Sequence, residues 1–288
     1  MKTKLLSLAL IVALIGCSES KVENKENSTE GQNKETVNTD ASVDADKLQL
    51  DLVSSIVTKG GAKAADQVLI EQMLSNVSET KNLTTWESKA VGNWVGKFGN
   101  NKINISLTRI KDGKVEGFSV CAGNFRKIEG EVSLKENGYH FTMNEPGNDK
   151  YDGSFDFTID PDFSVMFGTW TPFKKEGNTS KKYELNQKEF AYNATIGAYP
   201  NTSTKLLTYE DVENLMPDEL GYMRNEIYAR HGYSFKNKEW RYEFEQKDWY
   251  LPMGVDIRDQ LTEIEIENIG LIYEYESYFD EYYDDYGR

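Results

Sequence analysis

The sequence predicts an α+β chain of several domains: an antiparallel β-meander or barrel-like domain, followed by a small all-α module. Three observations predict it. Between Gly92 and Phe190 apolar residues recur every second position and the runs are separated by tight-turn signals. After residue 206 the period changes to that of a helix, with start and stop signals at several points. Between the two lies a polar hinge, 191–205, rich in Asn, Gly, Pro, Ser and Thr.

The β domain is bounded at 90–190. Ile103, Ile105 and Leu107 alternate with Asn104, Ser106 and Thr108, which reads as a strand with one face buried. Asp112-Gly113 and Asn137-Gly138 are hairpin turns between such runs, and Asp160-Pro161-Asp162 is another turn. Tyr139, Phe141 and Met143, then Phe155, Phe157 and Ile159, continue the alternation. About eight short strands with no room for crossover helices require antiparallel pairing. Gly92-Asn93-Trp94 resembles the Gly-x-Trp opening of lipocalin-like barrels, and Gly168-Thr169-Trp170 repeats the triplet. That resemblance implies a cup for a small apolar ligand. A barrel filled by its own side chains is the expectation favoured by the strands, which show no surplus of small interior residues.

The helical module, 206–288, is organised around residues 215–232. Pro217 fits the first helical position, Asp218 and Glu219 complement the dipole, and Leu215 can staple onto Leu220. Leu220, Met223, Ile227 and Tyr228 share a face. Gly232 supplies the left-handed stop, which would bring Tyr233 back onto Tyr228. Thr208 with Asp211, Asn237, and Thr262 with Glu265 mark further helix starts. Tyr228-Ala229-Arg230-His231-Gly232, with Arg224-Asn225-Glu226-Ile227 before it and Trp249-Tyr250 after, resembles the YARHG domain. The resemblance extends through Leu261–Glu265, Asn268-Ile269 and Tyr275-Glu276. It implies a small, mostly helical, extracytoplasmic module of bacterial proteins, with no established chemistry.

Upstream, Lys2 and Lys4 precede an apolar run from Leu5 to Ile15, the pattern of a secretory leader over 1–16. Leu14-Ile15-Gly16-Cys17 resembles a lipoprotein lipobox, which implies acylation of Cys17, palmitate included, and anchoring to a bacterial membrane without a spanning helix. Residues 17–45 are polar and charged, the composition of a disordered tether. A helical segment is expected over 46–80, with Val68, Leu69, Met73, Leu74 and Val77 as its second apolar stripe.

The formal net charge of the 288 residues is −15, and loss of Lys2 and Lys4 with the leader makes it −17. Such a balance disfavours nucleic acid and anionic headgroups as partners. The two histidines, His140 and His231, are far apart in sequence, so no metal or cofactor is expected. With Cys17 acylated, Cys121 stands alone and reads as a buried small side chain.

The candidate binding residues are Arg224, Asn225, Tyr228, Arg230, His231 and Trp249, which bring donors and aromatic surface to an acidic module. On one face they would grip an envelope glycan, peptide or protein. The competing account has Arg224 and Asn225 satisfying buried groups and Glu226 pairing with Arg230 at i, i+4. The expectation is therefore a lipid-anchored cell-envelope protein with a non-enzymatic binding or scaffolding role. The alternatives are a lipocalin-like carrier and a hydrolase using His231 with a nearby carboxylate.

Overall fold

A computed structural model describes residues 63–148, 150–174, 177 and 179–282. The expected leader, Cys17, the tether and the first part of the helical segment 46–80 lie outside the described residues. Eight strands, β1 (Gly92–Phe98), β2 (Asn101–Lys111), β3 (Lys114–Cys121), β4 (Asn124–Lys135), β5 (Gly138–Asn144), β6 (Gly153–Ile159), β7 (Val165–Pro172) and β8 (Lys181–Lys188), pair in sequence order. β8 pairs back onto β1, so the meander closes into an antiparallel barrel.

Closure follows from the alternation. Ile103, Ile105 and Leu107 of β2, Phe141 and Met143 of β5, and Phe155 and Phe157 of β6 form one buried cluster inside. The Phe141 and Phe157 rings stack 4.9 Å apart across the β5–β6 pair. Trp94 is fully buried and donates its indole N–H to the Ala90 carbonyl at 2.9 Å. It is thereby tied to helix α2 (Trp86–Ala90), whose Trp86 stacks on Tyr139 at 4.2 Å. One barrel end is plugged in this way, and the interior is occupied by side chains. Cys121 packs against the same cluster, and burial pushes its thiol up to about 12, leaving it protonated at neutral pH.

The outer face of β2 departs from the one-sided strand expected of it. Asn104, Ser106 and Thr108 are as buried as the apolar residues between them. Helix α1 (Ala65–Lys81) lies over this wall, with Ile70 and Met73 against Phe118, Val120 and Phe125. Its buried face runs through Gln67, Ile70 and Met73, whereas Val68 of the expected stripe points outward. Asn104 donates to the Met253 sulfur at 3.4 Å, and Ser106 donates to Asn93 at 2.6 Å. Polar alternate positions therefore meet protein rather than water.

The C-terminal module comprises α3 (Asn201–Thr204), α4 (Tyr209–Val212), α5 (Pro217–Arg230), α6 (Lys238–Glu245) and α7 (Glu263–Tyr282). Its starts are built as the residues require. Asp211 accepts from the Thr208 N–H at 2.9 Å and Glu219 from the Met216 N–H at 3.0 Å. Asn237 caps α6 through the Glu239 N–H at 2.8 Å, and Thr262 and Glu265 exchange both bonds of a capping box. Helix α5 stops at Gly232, whose φ of 74° is open to glycine. The Tyr233 N–H then returns to the Tyr228 carbonyl at 3.1 Å, and the two rings meet edge to face.

Barrel and module belong to one compact unit. Lys102 of β2 donates to the carbonyls of Lys247 and Tyr250 at 2.8 and 3.1 Å, and its ammonium lies over the Tyr250 ring. The Gly123 N–H at the β3–β4 turn donates to Ser234 at 2.9 Å. Gln67 of α1 accepts from the Val255 and Asp256 N–H groups, while Asp256 accepts from the Ala64 N–H. At this joint burial pushes the Glu245 carboxyl up to about 7, against the opposing pull of the Lys102 N–H, Arg241 and the Lys102 ammonium. Lys102→Met leaves two carbonyls without their charged donor, a loss of about 2–3 kcal/mol. In urea the barrel and the module of this variant should still unfold in one transition at lower midpoint, followed by near-ultraviolet and far-ultraviolet dichroism. A barrel transition unmoved by the change would show the joint to be superficial.

Candidate functional site

The most densely bonded region of the module lies where α5 ends, beneath α3 and the start of α7. Two carboxylates are fully buried there, Glu226 on α5 and Glu265 on α7. Isolated, each would be costly, because burial penalises the charged form. Each is instead surrounded by donors.

Glu226 accepts from the Ala198 and Tyr199 N–H groups at 2.7 Å each, and from the Arg230 guanidinium at 2.7 Å. The loop must approach very closely for this. Gly197 has a φ of 105°, and a Cβ there would sit 2.3 Å from the carboxylate. Arg230 spends its remaining donors on the Ile196 and Tyr199 carbonyls and the hydroxyls of Thr202 and Ser203, at 2.7–2.9 Å. The polar stretch expected as a hinge is thus bound from within: it carries α3 and lies against the end of α5.

Glu265 is the second hub. Its carboxylate meets His231 Nε2 at 2.8 Å and accepts from Ser203 at 2.6 Å, Tyr192 at 2.9 Å and the Thr262 N–H at 2.9 Å. Burial alone would raise its pKa, but hydrogen bonds from His231, Ser203 and Thr262 outweigh it and hold the carboxyl at about 2. The Tyr192 ring stacks on His231 at 4.4 Å and closes the site from outside. Ser203 links the two halves, since it receives from Arg230 and gives to Glu265. Beside them Asn268 accepts from the Leu207 N–H and donates to the Thr202 and Lys205 carbonyls, fixing α3 to α7.

The six candidate binding residues do not form one open face. Arg224 makes a bidentate pair with Glu276 of α7, at 2.8 and 3.0 Å, and lies 4.4 Å from the Tyr273 ring. Tyr228 is drawn into the same place, with its phenol pushed up by burial. Asn225 bonds back to the Gly221 carbonyl of its own helix at 2.8 Å. Arg230 and His231 are 2% and 4% exposed, which leaves them no surface to offer a partner. Trp249 packs half-buried against Phe244 and Tyr250. The geometry fits the competing account: Arg224 and Arg230 pair with Glu276 and Glu226, His231 bonds to Glu265 and Asn225 bonds within its own helix, so these side chains form no open donor face. Glu265 was visible in sequence only as the acid of a capping box. Nothing in the spacing paired it with His231, Ser203 or Tyr192.

Chemically the arrangement is a helical module whose signature residues build an internal ionic and hydrogen-bonded lock. Residues 194–277 match the model of the YARHG domain, and the chain carries that domain at its C-terminal side, behind the barrel. The Tyr-Ala-Arg-His-Gly signature coincides with the end of α5, where the lock is made. No curated protein and no solved structure shows significant similarity to the chain.

Two outcomes follow from this geometry. Arg230→Ala leaves Glu226 buried with its cation gone and should cost about 3–5 kcal/mol. Replacing both partners, Glu226→Gln with Arg230→Met, should cost less than that single change, as chemical unfolding would measure. The Glu265 carboxyl is held below its unfolded value of 4.5, so its stabilisation is complete above that pH and is lost as the pH falls toward about 2. The fall in melting temperature across that acid window should be shallower in Glu265→Gln, which starts from a lower value.

Proposed function

We propose that the chain is an exported, lipid-anchored protein of a bacterial cell envelope with a non-enzymatic binding or scaffolding role. The observation that carries the reading is the pairing of a lipobox-like Leu14-Ile15-Gly16-Cys17 with a YARHG domain in one chain. Acylation at Cys17 provides the anchor, and among the described residues no helix is long and apolar enough to cross a membrane. A scaffolding role is supported by where the module's polar groups go. The signature side chains Arg230 and His231 are bonded inside, and the barrel interior is occupied by side chains such as the stacked Phe141 and Phe157. Partner capture then belongs to the outer surface of a rigid two-part body, with an envelope glycan, peptide or protein as its object.

Cys17→Ser tests the anchor. Fed a radiolabelled fatty acid, bacteria producing the natural chain should label it and retain it in the membrane fraction. The variant should lose the label and leave that fraction. Equal retention of both chains without label would refute lipid anchoring.

A further inference from the structure

One carboxylate at the joint between barrel and module is compensated unlike the others. Glu226 pairs with Arg230, Asp256 with Arg258, and Glu265 meets His231 with three further donors. Glu245 lies half-buried on α6 where that helix packs on β2. None of the ion pairs among the described residues includes it. The two cations that act on it are already bonded to carbonyls: Lys102 to those of Lys247 and Tyr250, Arg241 to those of Phe235 and Lys236. Glu245 is also the last residue of α6, and the carbonyl end of a helix disfavours a negative charge.

The other titratable groups around it offer no counter-charge near neutral pH. The Cys121 thiol of β3 is pushed up to about 12 by burial. Tyr250, which follows α6, is fully buried with its phenol pushed well up, and it donates to the Tyr233 carbonyl at 2.8 Å. Asp248 and Lys188 act on the Lys102 ammonium with opposite sign. From β2, then, the ionised carboxyl has the Lys102 N–H and the field of an engaged ammonium, and from its own helix the field of Arg241. Burial outweighs all three.

We propose that Glu245 makes the joint between barrel and module a pH-sensitive latch, tight when its carboxyl is protonated and loosened when it is ionised. Closing the joint takes the carboxyl out of water, which favours the neutral acid. Its midpoint in the closed joint is about 7, above its ordinary 4.5. Closure is therefore unopposed below 4.5, increasingly opposed as the pH rises from 4.5 to about 7, and fully opposed above that. Glu265 of the lock, held at about 2, stays ionised through the whole window. The latch thus acts on how the two parts are held together while each part stays folded. On the acid side they form one rigid body, and on the alkaline side the joint opens locally. The inference needs neither the acyl anchor nor a partner. For an exported chain, the pH of its surroundings is the input.

The test is amide hydrogen exchange of the full chain in solution, carrying Cys17→Ser so that it stays free of acyl groups. Protection of the Lys102 and Gly123 N–H groups, which bond across the joint, is compared with that of the Ala198, Tyr199 and Thr262 N–H groups in the lock. Each is corrected for its intrinsic exchange rate. From about pH 5.5 to about pH 8, protection at the joint should fall about threefold to tenfold, a range kept small by the partial exposure of Glu245. Protection in the lock should hold. In Glu245→Gln the joint amides should be equally protected at both pH values. A second measurement needs no variant at this position: the carbon-13 shift of the Glu245 carboxyl should titrate near 7. The proposal is overturned by a midpoint near 4.5, by joint protection that ignores pH, or by a pH dependence that survives Glu245→Gln. Loosening of the lock amides in step with the joint would overturn it too. None of these failures bears on whether Cys17 is acylated or a partner is bound.

Discussion

The carboxylate of Glu265 is the group on which the C-terminal half depends. A charge with no solvent contact survives only if the surrounding protein supplies what water would have supplied. Here the donors come from four places in the chain: Tyr192 leaving the barrel, Ser203 on α3, His231 at the end of α5 and Thr262 at the start of α7. No one of these segments can satisfy the carboxylate alone. Their assembly is therefore cooperative, and the lock specifies one arrangement of α3, α5 and α7 beside the apolar clusters of the module. Glu226 repeats the device one turn away with Arg230 and the 196–199 loop.

The same economy explains the joint to the barrel. The contacts there are directional: an ammonium on two carbonyls, a hydroxyl on the Gly123 N–H, an amide oxygen on two N–H groups. Apolar packing adds Ile70 and Met73 of α1 against Phe118, Val120 and Phe125, with Val255 of the module beside them. Directional bonds fix the angle between the two parts, whereas an oily contact of the same extent would allow them to slide.

Most of the fold was legible in the residues. Strict alternation with glycine turns gave the strands, and Thr208, Pro217, Asn237 and Thr262 gave the helix starts, because these are local signals set within a few residues. The acceptors of Arg224, Arg230 and His231 were not legible, for a physical reason. A donor on a helix looks the same in sequence whether its acceptor is a ligand or a carboxylate more than thirty residues away, as Glu265 is from His231. The outer face of β2 misled in the same way. Asn104, Ser106 and Thr108 have the polarity of a solvated face, yet they lie under α1 and the module, and no local pattern announces a cover from elsewhere.

Helix α1 carries a consequence for the order in which the molecule is completed. Its Gln67 amide serves backbone groups 188 and 189 residues further on. Contacts spanning that much chain are slow to form, because the ends must find each other across a long loop. If the polypeptide crosses a membrane amino end first, this helix emerges early and waits for the last third of the molecule before its polar edge is engaged. The early-arriving segment is thus the keystone set last, and any partner that receives the chain during export meets that edge uncovered.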